Sequence, residues 1–270
     1  WATLRDVDTP STLAALMHVE KNAHEDHNSE FHEGGGLWDG TKSLFNGLWY
    51  SIGLGPEFEN WFGSFDYNAA ENKPSKLDNQ FAQIVMQSYE KPEDRVDELG
   101  DWDRVEALDT ERYSVWVDEP DKQVHVAVRG TIASMSDLLS DIHILYDNTS
   151  GNVDELVEYL EKVKDLYPGY ELDASGHSLG GSELLEAGVE YKELGYNYNL
   201  FNPGHNPFWG LGNAKAAVED EHFHWYLNSG DMISNTFSGL LEDGTDVHWS
   251  KPKHSPLKNH GLAQWTGEEY

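Results

Sequence analysis

The sequence has 270 residues, of which 18 are basic and 49 are acidic, so its formal net charge is −31. Such a surface repels phosphate backbones, which argues against nucleic acid as a partner, and it repels anionic lipid headgroups unless salt screens the charge. No apolar run reaches the ~18 residues that a membrane-spanning helix needs, so we expect no transmembrane segment. The length allows one large domain or a domain with an appendage.

The sequence contains no cysteine, which excludes disulfide bonds and leaves the cellular compartment open. Because the sequence begins with Trp1 and not with methionine, we expect a processed product from which any signal peptide has been removed. A secreted protein and a virion-associated protein both fit this expectation.

We expect residues 1–72 to form a helical extension that precedes a second domain at residues 73–270. Its first helix is predicted to begin at Thr9, because a threonine N-cap followed by proline favours a helix start. Four histidines follow among acidic residues: His18, His24, His27 and His32. They raise the hypothesis of a metal site, but His24 and His27 lie three residues apart instead of the four of the helical zinc motif. A solvated helix end is the better interpretation, and we expect neither a metal ion nor a cofactor.

The stretch from residue 34 to residue 72 combines glycine with large aromatic side chains. Apolar residues repeat at helical spacing in two groups, Leu44 to Ile52 and Phe58 to Phe65, with the turn Gly53–Pro56 between them. This pattern predicts two short amphipathic helices. Their apolar faces have two interpretations: a cover packed on the core of the second domain, or a surface that contacts lipid or another protein.

The second domain is predicted to begin with a helix and a β-hairpin. Ser75 and Asp78 have the spacing of a capping box for a helix that runs through Tyr89. The segments Tyr113–Val117 and Gln123–Val128 lie on either side of an acidic turn, and the second has alternating apolar residues, which predicts a hairpin with one buried face.

Two further helices are predicted downstream of the hairpin. The tripeptide Arg129-Gly130-Thr131 ends the second strand, and Ser134 to Asp141 is a polar–apolar stretch that we expect to form a short helix. Asn152–Tyr167 has apolar side chains on one side and is followed by Pro168-Gly169, which predicts an amphipathic helix with a defined end. The alternation of helix and strand from this point favours a mostly parallel sheet covered on both faces.

The most informative segment runs from Gly176 to Gly181 and reads Gly-His-Ser-Leu-Gly-Gly. A strand-like run precedes it at Tyr170–Ser175, and a stretch that can be helical follows at Ser182–Leu194. A strand, Gly-x-Ser-x-Gly and a helix in this order are the context of a nucleophile elbow. Such a turn lifts the serine hydroxyl clear of the sheet. It also directs the backbone N–H of the next residue to the position where an oxyanion would form.

The elbow makes Ser178 the candidate nucleophile and the N–H of Leu179 a candidate donor to an oxyanion. The serine has to take a strained backbone conformation, so its neighbours two positions away must be small, and Gly176 and Gly180 meet this demand. A bare Gly-x-Ser-x-Gly also occurs by chance, so the assignment depends on the partners that a serine nucleophile needs.

A serine hydroxyl becomes a good nucleophile when an imidazole can take its proton and a carboxylate orients that imidazole. Asp231 follows the strand-like run His222–Asn228, and His260 lies near the end of the sequence. Serine, acid and histidine in this chain order are typical of α/β-hydrolases. His254 is the competing candidate for the base.

Together these elements resemble the class 3, or fungal-type, lipases. The resemblance covers about residues 76–265 and rests on Arg129-Gly130-Thr131, Asp137, Asp141, the elbow, Asp231 and His260. The Gly-Leu-Ala-Gln-Trp run after His260 matches the final segment of the family better than the Ser-Pro after His254. The sequence departs from the family directly after the elbow, where Ser182 and Glu183 occupy positions that are usually small and apolar.

The resemblance implies an α/β-hydrolase fold, with a mostly parallel central sheet and helices on both faces, and hydrolysis of carboxylic esters. It also implies a catalytic triad in which Ser178 is the nucleophile, Asp231 the acid and His260 the base. The backbone N–H groups of Leu179 and Thr131 would form the oxyanion hole, and Ile132–Leu139 would be the lid.

We therefore predict a serine hydrolase of the lipase or esterase type that acts on an ester or lipid substrate without a cofactor. Two other hypotheses stay open. One is a non-catalytic structural or docking protein with a lipase-like fold, for instance in a virion or on a surface. The other is a triad enzyme for a different acyl group, such as a thioesterase, an acyltransferase or a peptidase.

Overall fold

The structure of the protein, a computed structural model, describes residues 74–130, 149–204, 216–228, 231, 234, 246–250 and 260–266. The extension predicted at residues 1–72, with its four histidines and its aromatic stretch, lies outside these residues. The short helix predicted at Ser134–Asp141 also lies outside them.

The described residues form one sheet of eight strands, whose order in space is their order in the sequence. The strands are β1 (Glu98–Leu99), β2 (Trp102–Arg104), β3 (Tyr113–Asp118), β4 (Gln123–Val128), β5 (Glu171–Ser178), β6 (Asn197–Pro203), β7 (Phe223–Asn228) and β8 (Val247–Ser250). Neighbours from β1 to β4 run antiparallel, and neighbours from β4 to β8 run parallel. The sheet is thus mostly parallel, as predicted.

Helices cover both faces of this sheet. They are α1 (Lys76–Gln87), α2 (Thr149–Leu166) and α3 (Leu179–Glu190). Short 3-10 turns lie at Pro92–Asp94, Glu106–Leu108, Lys192–Leu194 and Ala263–Trp265. Side chains of α1 pack on one face, and side chains of α2 and α3 pack on the other. This arrangement confirms the predicted α/β fold class.

Each face of the sheet carries its own apolar core. Val124, Val126 and Val128 of β4 pack with α2 and α3, whereas the residues between them face α1. Phe81 of α1 stacks on His125, with ring centroids 4.2 Å apart. Both strands of the β3–β4 hairpin are therefore buried on both faces, and the prediction of a single buried face is wrong. The alternation of polar residues was misleading because α1 covers the face that they occupy.

Helix α1 begins with the capping box that the sequence predicts. Ser75 Oγ accepts a hydrogen bond from Asp78 N at 3.1 Å, and Asp78 Oδ2 accepts one from Ser75 N at 2.6 Å. The helix ends at Gln87 instead of Tyr89. Differences of this size at helix ends are common, because terminal turns fray and tighten.

The C-terminal end of α1 is anchored on β3 by a buried guanidinium group. Arg95 donates hydrogen bonds to the carbonyl oxygens of Gln87 at 3.1 Å and Tyr113 at 3.0 Å. Its charge is paired with Asp109 at 3.3 Å, so the buried cation is compensated. These contacts of Arg95 fix the end of α1 close to Tyr89, whose hydroxyl is hydrogen-bonded to His177 beside the elbow.

The boundaries around the elbow differ from their predicted positions. β5 continues to Ser178 and α3 begins at Leu179, whereas the sequence pattern ended the strand at Ser175 and began the helix at Ser182. The serine of the elbow therefore occupies the junction itself and directly precedes the first helical turn. Helix α2 likewise begins at Thr149, earlier than the predicted start at Asn152.

Asp173 is a buried carboxyl group on β5. Burial raises its pKa from the ordinary 3.8 to about 7, and the nearby charge of Glu171 acts in the same direction. Between about pH 4 and about pH 7 the folded state keeps a proton that the unfolded chain has released. The free energy of unfolding therefore falls as the pH rises through this range, and above it the folded protein contains a charge that is costly to bury.

We expect Asp173→Asn to be more stable than the wild type at about pH 8, by up to ~4 kcal/mol, since each pKa unit corresponds to ~1.4 kcal/mol. At about pH 5 the advantage should be much smaller, because the carboxyl group is then mostly uncharged. Urea unfolding of both proteins at both pH values measures this. Asp165→Asn, at an exposed position of α2, is the control and should leave the pH dependence unchanged. An Asp173→Asn protein that is less stable than the wild type at the higher pH would contradict the argument from burial.

Candidate active site

Ser178 occupies the sharp junction between β5 and α3. Its backbone angles are φ 57° and ψ −123°, in a region that residues other than glycine rarely adopt. Backbone strain of this kind costs ~1–3 kcal/mol and clusters at functional sites. The residue is buried, with 6% of its surface exposed. The conformation is the one that a nucleophile elbow requires.

The glycines around the elbow leave no room for a side chain. A Cβ atom on Gly176 would lie 2.5 Å from the carbonyl oxygen of Gly180, and one on Gly180 would collide with the carbonyl oxygen of Val128 in β4. Gly130, just beyond the end of β4, is similarly confined, because a Cβ atom there would lie 2.6 Å from the carbonyl oxygen of His177 and 3.2 Å from Ser178 Cβ. Small residues at these positions let the end of β4 approach the elbow closely.

His260 bridges Ser178 and Asp231. Its Nε2 lies 2.8 Å from Ser178 Oγ, and its Nδ1 lies 2.8 Å from Asp231 Oδ2. All three residues are buried. The structure thus brings together the residues for which the sequence analysis expects the roles of nucleophile, base and acid.

The direction of these hydrogen bonds follows from the chemistry of the groups. A carboxylate only accepts, so the hydrogen lies on Nδ1 of His260 and is donated to Asp231. In this tautomer Nε2 has a lone pair, which faces the hydroxyl of Ser178 and can accept its proton. This arrangement is able to make the serine nucleophilic.

Asp231 is oriented by a turn that the sequence analysis did not single out. Its Oδ2 accepts hydrogen bonds from Ser234 Oγ at 2.5 Å and from Ser234 N at 3.3 Å. Its backbone N donates to the carbonyl oxygen of Asn228, the last residue of β7, at 2.9 Å. The signal for Ser234 in the sequence is the Asp-x-x-Ser spacing, since aspartate side chains often cap turns in this way.

His260 is held through its backbone by a second residue that sequence reasoning missed. Asn202 Nδ2 donates to the carbonyl oxygens of His260 and Gly261, both at 3.1 Å, and its Oδ1 accepts from Asn228 N at 2.9 Å. Asn202 has φ 40°, in the left-handed region that asparagine tolerates better than most residues. One buried amide therefore connects β6, β7 and the segment that carries His260.

Leu179 is the first residue of α3, and the leading N–H groups of a helix have no partner within it. The positive end of the helix dipole also favours a negative charge at this point. The second expected oxyanion donor, Thr131, lies outside the described residues. The expected lid, Ile132–Leu139, and the competing base, His254, lie outside them as well.

Ser182 and Glu183, the polar residues that follow the elbow, each have a partner for one side-chain atom, whereas Glu183 Oε1 has none among the described residues. Glu183 is fully buried, and its carboxylate lies 2.5 Å from Nη2 of Arg112. Ser182 Oγ donates a hydrogen bond to the carbonyl oxygen of Gly204 at 2.6 Å. Burial raises the pKa of Glu183 to about 7, and the charge and hydrogen bond of Arg112 oppose this shift.

Within the ranges that the structure describes, no cluster of histidine, cysteine and carboxylate side chains has the arrangement of a metal site. No helix in those same ranges has the length and apolar content to cross a membrane.

No protein-family model and no curated protein matches the sequence. A comparison with solved structures finds similarity to fungal lipases. Lip2 lipase from Yarrowia lipolytica is 17% identical, with a TM-score of 0.47 over 68% of this chain and 81% of that chain. A triacylglycerol lipase from Penicillium expansum is 16% identical, with a TM-score of 0.45 over 67% and 82% of the respective chains. A Rhizomucor miehei lipase propeptide complex is 15% identical, with a TM-score of 0.44 over 63% and 70%.

Proposed function

We propose that the protein is a serine hydrolase that cleaves carboxylic esters, with Ser178 as nucleophile, His260 as general base and Asp231 as the acid. The observation that carries the proposal is the position of the His260 imidazole, 2.8 Å from the Ser178 hydroxyl and 2.8 Å from the Asp231 carboxylate. A strained serine costs stability, and its pairing with a buried histidine and a buried aspartate supports a catalytic role over a purely structural one.

In the proposed reaction, Ser178 Oγ attacks the carbonyl carbon of the ester while its proton passes to His260 Nε2. The carbonyl oxygen becomes negatively charged, and the backbone N–H groups of Leu179 and Thr131 are proposed to stabilise it. The tetrahedral intermediate expels the alcohol, which takes the proton from His260 and leaves the acyl group on Ser178. A water molecule, deprotonated by the same imidazole, then releases the carboxylic acid. Asp231 stabilises the imidazolium each time it forms.

We further propose that the ester is part of a lipid. Support comes from the sequence resemblance to fungal-type lipases, which rests on Arg129-Gly130-Thr131, the elbow, Asp231 and His260. Each methylene removed from water contributes ~0.8 kcal/mol, so an enzyme that buries the acyl chain of its substrate favours long chains. The net charge of −31 favours neutral or salt-screened interfaces over anionic ones at low salt.

The test combines a fluorophosphonate, which reacts with activated serines, and a chain-length series of p-nitrophenyl esters. We expect a covalent adduct on the peptide that contains Ser178, identified by mass spectrometry, and a kcat/KM that rises with acyl length. Protein denatured before labelling is the control and should form no adduct. Labelling together with hydrolysis of short esters alone would contradict a lipid substrate. Absence of both labelling and hydrolysis would contradict the enzyme itself and favour the structural or docking role.

A further inference from the structure

His177 makes two hydrogen bonds that the proposed reaction does not use. Its Nε2 lies 2.6 Å from the carbonyl oxygen of His260, and its Nδ1 lies 2.8 Å from Oη of Tyr89. The rings of His177 and His260 are also neighbours, with centroids 4.9 Å apart. His177, which directly precedes the proposed nucleophile, therefore contacts the proposed base through both the backbone and the ring.

The proton on each of these groups can be assigned. A carbonyl oxygen only accepts, so His177 Nε2 carries a hydrogen and donates it to His260. Burial lowers the pKa of His177 to about 3, and the nearby His260 acts in the same direction, so the ring is neutral and Nδ1 accepts from Tyr89. Burial also raises the pKa of Tyr89 far above its usual range, which keeps that hydroxyl protonated.

The network continues from Tyr89 to the end of β4. Tyr89 Oη accepts a hydrogen bond from Gly130 N at 3.2 Å, and Gly130 directly precedes Thr131, the second proposed oxyanion donor. Space at this contact is tight, since a Cβ atom on Gly130 would lie 2.6 Å from Tyr89 Oη. One chain of hydrogen bonds thus runs from the backbone before the proposed oxyanion donor, through the side chains of Tyr89 and His177, to the backbone of the proposed base.

We propose that His177 is a positioning residue, which holds the imidazole of His260 at its distance from Ser178 and, through Tyr89, links the base to the backbone of Gly130. This inference rests on the hydrolase function proposed above. His177 acts through the carbonyl oxygen of His260. This oxygen accepts one hydrogen bond from His177 and another from Asn202. A shift of about 1 Å in a catalytic group can cost ~10²-fold in rate, so a lost backbone anchor should be visible in kcat.

The test compares His177→Leu with His177→Gln, which have similar volumes. Leucine removes both hydrogen bonds, whereas the amide of glutamine can donate to the His260 carbonyl and accept from Tyr89. We expect His177→Leu to lower kcat by roughly 30- to 100-fold with little change in KM, and His177→Gln to recover most of that loss. Tyr89→Phe, which removes one hydroxyl group, should give a smaller loss.

All rates are expressed per active site, counted by fluorophosphonate titration, so a smaller folded fraction does not mimic a lower kcat. A wild-type kcat in His177→Leu, or equal losses with leucine and glutamine, would overturn the positioning role. A wild-type kcat in Tyr89→Phe would overturn the link to Gly130. Ser178→Ala distinguishes failure of the proposed hydrolase function from failure of the positioning role. Hydrolysis that persists in this variant refutes the enzyme assignment, whereas hydrolysis that needs Ser178 but not His177 refutes the positioning role alone.

Discussion

Replacing Ser178 by alanine should abolish ester hydrolysis and fluorophosphonate labelling while the protein stays folded. Removal of the nucleophile from a working triad lowers kcat by a factor on the order of 10⁶. The fold should survive because alanine needs no more room than serine in the elbow. Steady-state hydrolysis of a short p-nitrophenyl ester measures the activity, and circular dichroism with a thermal melt measures the fold.

Ser175→Ala is the matched control for this substitution. Ser175 is also buried on β5, but its hydroxyl has no hydrogen-bond partner among the described residues. Its alanine variant should therefore keep the wild-type kcat. Undiminished labelling of Ser178→Ala would refute the assignment of the nucleophile, and an equal loss in Ser175→Ala would mean that the substitutions act through the structure of β5.

Loss of the imidazole at position 260 should be nearly as severe. We expect His260→Ala to lower kcat by a factor on the order of 10⁶ with a nearly unchanged KM, because no base then takes the proton of Ser178. Asp231→Asn should cost ~10⁴-fold, because an amide that donates to Nδ1 holds the imidazole in the wrong tautomer. Kinetics with the same short ester measures both variants.

His254→Ala decides between the two histidines that the sequence offers as the base. His254 lies outside the described residues, and its alanine variant should keep a kcat close to that of the wild type. The opposite ranking, with a large decrease of kcat in His254→Ala and a small decrease in His260→Ala, would assign the base to His254. Such a result would also mean that the contact between His260 and Ser178 is not the productive one.

Elements with local signals could be predicted well. The capping box needs only Ser75 and Asp78, which lie within one helical turn, and the hydrogen bonds that define it are present. The elbow motif likewise predicts a strained serine between a strand and a helix, and Ser178 has φ 57° at the junction of β5 and α3. In both cases the residues that determine the backbone conformation are near neighbours in the sequence.

Short strands and burial could not be predicted in the same way. β1, β2 and β8 have two, three and four residues, too few for an alternating pattern to stand out. Ser114 and His125 interrupt the apolar positions of the hairpin, yet both are fully buried. A strand pattern reports residue polarity and cannot report that a distant helix covers the polar side.

The sequence by itself determined the candidates: a serine in an elbow, an acid after a strand and a histidine near the end. Only the tertiary structure decided which side chains meet, because the partners are far apart along the chain. His260 is 82 residues from Ser178 and 29 from Asp231, and His177 is 88 residues from Tyr89. Contacts of 2.8 Å between such segments depend on where parallel strands end and how helices pack against them, and short-range spacing carries no information about either.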